Sequence, residues 1–137
     1  MKKQQGFTLI ELLVVIAIIG LLSTLAIVAL GNARMKSRDA KRVSDIKQIQ
    51  TALELYYNDA NSYPVNLGPS IVTNGITYMA IVPTNPSPAS DGGCALGTNY
   101  VYAPATSNTS YTLAYCLGAA TGGISIGIHT AYPGGIQ

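Results

Sequence analysis

Lys2–Leu22 reads KKQQGFTLIELLVVIAIIGLL. Two lysines, a glycine and a phenylalanine lead into an apolar run that holds one carboxylate, Glu11. The run continues unbroken from Leu12 to Leu30, softened only by alanines, Gly20, Ser23 and Thr24. About 20 apolar residues suffice for a helix to cross a bilayer, so a membrane-spanning helix is predicted over 7–30. A secretory signal has a core of about 7–15 residues and its cleavage site behind it. Here the core is longer, and the candidate cut at Gly6 lies in front of it. The apolar part therefore stays on the mature chain. Glu11 is the discordant residue. A carboxylate at the centre of a membrane helix costs roughly 2.5–3.5 kcal/mol on insertion scales, and such residues are functional by default.

The helix is expected to continue past the membrane. Val43, Ile46, Ile49, Leu53, Tyr56 and Ala60 follow the three-and-four spacing of an amphipathic helix. Lys41, Asp45, Lys47, Glu54 and Asn58 are assigned to its polar face, where Lys41 and Asp45 can pair one turn apart. No proline occurs before Pro64. One helix is predicted from about Phe7 to about Asp59, with Gly20 and Gly31 as weak points. Tyr63 before Pro64 ends it, because a residue preceding proline is pushed out of helical geometry.

Charge divides the chain further. Charged residues make up 10% of its 137 residues. Six cations from Arg34 to Lys47, with Asp39 and Asp45, follow the apolar run and read as a solvated face of mixed charge. From Asn61 to Gln137 the only formal charge is Asp91. The predicted organisation is a leader at 1–6, an apolar helix at 7–30, a stem helix at 31–60 and a head at 61–137. Within the head, 61–98 reads as loop, with a short helix or turn at Ile76–Val82, and 99–130 as strands. Tyr111–Leu117 alternates, Ile124, Ile126 and Ile128 alternate with small or polar residues, and Asn99–Tyr102 is a shorter candidate. A lone small sheet is marginal, so it should pack on the stem. The fold class is α+β: a long N-terminal helix whose C-terminal half packs on a small antiparallel sheet. Tyr100, Tyr102, Tyr111 and Tyr115 are expected to line that sheet. Cys94 and Cys116 are the only cysteines, and a disulfide is their simplest reading if the head is exported.

The leader and apolar run resemble the N-terminus of type IV prepilins and type II secretion pseudopilins. The shared features are a short basic leader ending in Gly6, then Phe7, an apolar run and Glu11. The resemblance weakens through DAKRVSDIKQIQTALELYYNDANSYP and reaches the head mainly in plan, with the P-x-N-P turn at Pro83–Pro86. It implies cleavage between Gly6 and Phe7 by a prepilin peptidase, N-methylation of Phe7, and pairing of Glu11 with the Phe7 amine of another subunit in a helical homopolymer. It also implies an inner-membrane assembly platform as partner. The protein would be a single-pass precursor in the cytoplasmic membrane, then a periplasmic or extracellular filament. The expected function is a type IV pilus-like subunit serving adhesion, motility or DNA uptake. A type II secretion pseudopilin is the alternative within the family, and a non-polymerising anchored binding domain the alternative outside it.

Some features depart from that pattern. The apolar helix lacks the proline found in many relatives. More Lys and Arg follow the span than precede it at Lys2 and Lys3, against the positive-inside rule. Some pseudopilins bind calcium through clustered head carboxylates, but this head has only Asp91, and Asn85 stands where relatives often have Asp. Calcium wants about six to eight oxygen ligands, so no metal is expected, nor any other cofactor. Catalysis is not expected either. His129 is the only histidine, read as an exposed strand residue, and no nucleophile–base arrangement accompanies it. The basic cluster Arg34–Arg42 could touch lipid phosphates or DNA. Asn108-Thr109-Ser110 fits the N-glycosylation acceptor pattern.

Overall fold

A computed structural model of the protein describes residues 6–89, 92, 94 and 99–136. Its order is α1 (Leu9–Ala60), β1 (Ile71–Thr73), β2 (Ile76–Met79), β3 (Val101–Pro104), β4 (Tyr111–Leu117), β5 (Gly127–Tyr132) and β6 (Gly135–Ile136). The chain divides into two compact units, Met1–Arg34 and Met35–Gln137. This is the expected α+β plan, with one long N-terminal helix and antiparallel sheets.

In the first unit every described side chain is exposed. A helix apolar on all sides has no water-facing stripe, and this one is long and apolar enough to cross a membrane. Thr24 Oγ1 donates to the Leu21 carbonyl at 2.8 Å, which removes an unpaired donor from the apolar surface.

In the second unit the stem packs on a sheet of order β3-β4-β5-β6. Ile46, Ile49 and Leu53 of the expected stripe are fully buried, and Val43 and Tyr56 lie at the core's edge. They meet Leu113, Tyr115 and Leu117 on the inner face of β4 and Ala131 of β5. Complete burial of such an aliphatic side chain is worth about 1.5–3 kcal/mol. The helix ends where Asn61 takes a left-handed φ of 50°, its N–H bonding the Tyr57 carbonyl at 2.8 Å. Tyr57, Tyr63, Tyr111 and Tyr102 then pack in sequence, with ring centroids 4.6, 4.7 and 5.8 Å apart and the middle pair edge to face.

Several expectations need correction. The segment 61–98 is not all loop, and Ile76–Val82 is neither helix nor plain turn. β1 and β2 form a hairpin about Asn74-Gly75, whose φ values of 50° and 78° suit a tight two-residue turn. Strand structure also extends beyond residue 130, through β5 and β6. The alternating isoleucines do not share one environment: Ile124 packs at the core's edge, whereas Ile126 and Ile128 turn outward. β5 begins at Gly127, and Ile126 and Ile128 are 58% and 62% exposed. Register decides this: Leu113 pairs with Ala131, Tyr115 with His129 and Leu117 with Gly127, so the inner face of β5 carries Gly127, His129 and Ala131. His129 is accordingly half-buried, 5.6 Å from the Tyr115 ring, with Nε2 2.7 Å from the Ser125 carbonyl.

The stem's polar face is also redrawn. Asp45, assigned to solvent, is buried, as are Asp39 and Arg42. Asp45 accepts from Lys41 Nζ at 3.0 Å and from the Tyr100 hydroxyl at 3.0 Å. With both acids internal, the exposed charges among 35–50 are the cations Lys36, Lys41 and Lys47, not a mixture.

Candidate functional site

Leu9 is the first residue of α1 and Thr8 its N-cap. The Thr8 hydroxyl accepts the Glu11 N–H at 3.3 Å. One Glu11 carboxylate oxygen accepts both the Thr8 N–H (2.8 Å) and the Thr8 hydroxyl (2.7 Å). This reciprocal arrangement is a capping box, and it satisfies donors that a helix start leaves open. A cap of this kind is worth about 1 kcal/mol. The negative charge also sits at the positive end of the helix dipole. Glu11 is thus partly compensated within its own chain. Sequence reading singled out Glu11 but passed over Thr8, although Thr-x-x-Glu before an apolar run is the signature of this box.

A shallow groove of about 400 Å³ runs over Phe7, Ile10, Glu11, Val14 and Val15. The carboxylate lies in it among apolar side chains. Gly6 and Phe7 precede the helix and are exposed. An added Cβ at Gly6 would meet nothing within 4 Å among the described residues. The leader residues 1–5 lie outside the described residues.

In the head, Cys94 and Cys116 form a disulfide with Cα atoms 5.7 Å apart. The buried tyrosines are held neutral. Burial raises the Tyr100 hydroxyl pKa first, and the Asp45 carboxylate raises it further. Burial, then the hydrogen bond to Glu54, raises Tyr63. Burial pushes Tyr102 up to about 12. Among the described residues no three His, Cys, Asp or Glu side chains gather to hold a metal. Asp91 lies outside the described residues, and the Asn85 side-chain oxygen accepts a hydrogen bond from Arg42 Nε at 2.7 Å. Among the described residues the donor set does not fit a calcium centre.

Comparison with known proteins agrees with this geometry. The family described as "Prokaryotic N-terminal methylation motif" matches residues 1–30. The chain is 35% identical over 88 residues to the type II secretion system core protein G of Vibrio cholerae, covering 64% of this chain and 56% of that one. It is 38% identical over 95 residues to the protein of the same name from Aeromonas hydrophila, covering 67% and 62%. It is also 43% identical over 54 residues to a fimbrial protein of Pseudomonas aeruginosa, covering 39% and 35%. The chain thus spans a little over half the length of the secretion proteins it matches. No solved structure matches it significantly. A methylation motif, a capped apolar helix of membrane length and a stem packed on an antiparallel sheet define a pilin-like protein. The chain belongs to the type IV pilin and pseudopilin family.

Proposed function

We propose that the chain is a pseudopilin, a structural subunit that polymerises through its N-terminal helix into a filament serving secretion. The observation that carries this reading is Glu11, capped by Thr8 and set in an apolar groove on a helix of membrane length. The similarity to secretion core proteins G favours the secretion filament over the surface pilus. In this reading a prepilin peptidase cuts between Gly6 and Phe7, and the new Phe7 amine is N-methylated. The helix of a second subunit then occupies the groove and brings its Phe7 amine to Glu11. Each charge is costly in an apolar bundle, and each compensates the other. Removing one partner of such a buried pair costs about 3–5 kcal/mol.

The test is to shear cells and determine the intact mass and N-terminus of the protein in the sheared and membrane fractions. Processed protein starting at N-methylated Phe7 and retained with the membrane is expected. Abundant sheared protein with that N-terminus would favour the surface pilus, the reading supported by the similarity to a fimbrial protein. Protein starting at Met1 in both fractions would refute processing and leave an anchored, non-polymerising domain. Glu11→Ala should be cleaved normally yet fail to assemble. Normal filament yield from that variant would remove Glu11 from the assembly role.

A further inference from the structure

Asp39 and Arg42 are fully buried and one turn apart on α1, Oδ1 to Nη1 2.5 Å. Arg42 also donates from Nε to the Asn85 side-chain oxygen (2.7 Å) and from Nη2 to the Pro88 carbonyl (3.0 Å). Asp39 accepts the backbone N–H groups of Gly118 (3.1 Å) and Ala119 (2.8 Å). A carboxylate oxygen, an amide oxygen and a peptide carbonyl oxygen therefore converge on one positive centre. These are the hard oxygen ligands that a calcium ion takes. The head contributes too few acids to hold such an ion, since Asp91 is its only carboxylate side chain.

We propose that Arg42 occupies the seat of a cation. Paired with Asp39, its guanidinium holds the segment at Asn85–Pro88 and the turn at Gly118–Ala119 against α1, and the head folds without a divalent ion. A guanidinium suits the place. It is always charged, its donors form a rigid fork, and it is tethered, so it needs no free ion from the medium. The Asp39 carboxylate keeps its partner and both backbone donors, so no buried charge is left alone.

The test is thermal unfolding of the full chain in detergent micelles, followed by the near-ultraviolet tyrosine signal. All nine tyrosines lie in the second unit, so the signal reports the head and the stem packed on it. The wild-type midpoint should be the same in millimolar calcium chloride and in chelator. Arg42→Ala should lower it by more than about 10 °C, the scale of a broken buried pair, and ethylguanidinium chloride should restore part of that loss. If that variant does not fold, Arg42→Lys takes its place, with a smaller loss expected. Hydrogen exchange at Gly118 and Ala119 in the wild type should likewise ignore calcium. A wild-type midpoint or amide protection that rises with calcium overturns the proposal. So does an Arg42→Ala chain as stable as wild type, or a loss that ethylguanidinium leaves unchanged. None of these readouts depends on filament formation.

Discussion

Replacing Cys94 and Cys116 together by serine should destabilise the head through the unfolded chain. The two residues are 22 apart in sequence and close a ring of 23. In the chain-entropy model a ring of that size removes about 11 cal/mol/K from the denatured ensemble, or about 3.4 kcal/mol at 25 °C. The folded side of the balance should change little. Both cysteines are buried, and the segment before Cys94 keeps its own attachment through Arg42 to Asn85 and Pro88. For a head of this size the loss corresponds to a fall of roughly 15–25 °C in midpoint. Urea unfolding of the full chain in micelles, read from the tyrosine signal, measures it directly. The uncrosslinked chain should also show a steeper dependence on urea, because its unfolded state exposes more surface. A loss below about 1 kcal/mol with an unchanged slope would refute the reasoning, because the ring would then not be restricting the unfolded chain.

Two further outcomes follow from the buried tyrosines. The Tyr115 hydroxyl is buried with no hydrogen-bond partner among the described residues, so Tyr115→Phe should stabilise the head by about 1 kcal/mol in the same urea experiment. A clear loss would show that the hydroxyl is bonded after all. Burial raises the pKa of Tyr63, Tyr100, Tyr102 and Tyr111, with Tyr102 at about 12. A raised folded pKa means that the folded state keeps a proton the unfolded chain gives up. Stability from this source is therefore complete below the unfolded tyrosine pKa of about 10 and lost as pH rises through the folded values. Tyrosinate absorbance against pH should show these residues ionising together with unfolding, and free titration near pH 10 in a folded head would refute it.

Two kinds of sequence signal were read unequally. The Asn74-Gly75 pair, flanked by Ile71–Thr73 and Ile76–Met79, is a hairpin signature that the surrounding loop-rich composition obscured. The Thr-x-x-Glu spacing of Thr8 and Glu11 carries the capping box within a single turn. The isoleucines of 124–128 show a different limit, since Ile124 packs at the core's edge while Ile126 and Ile128 are exposed. Alternation reports that a strand has two unlike faces, and register alone says which one meets the helix.

The local sequence determined the long helix, its apolar N-terminal half, the buried stripe at Ile46, Ile49 and Leu53, and the placement of Glu11 at its start. These follow from periodicity, proline placement and spacing within one or two turns, all properties of neighbours along the chain. Which charges lie inside was decided by tertiary structure. Asp39, Arg42 and Asp45 look like a solvated stem until Asn85, Pro88, Tyr100, Gly118 and Ala119 arrive from elements 43 to 80 residues away. A charged side chain is inexpensive to bury only when its partners are already in place. Partners that distant in sequence are positioned by the packed sheet and its connecting loops.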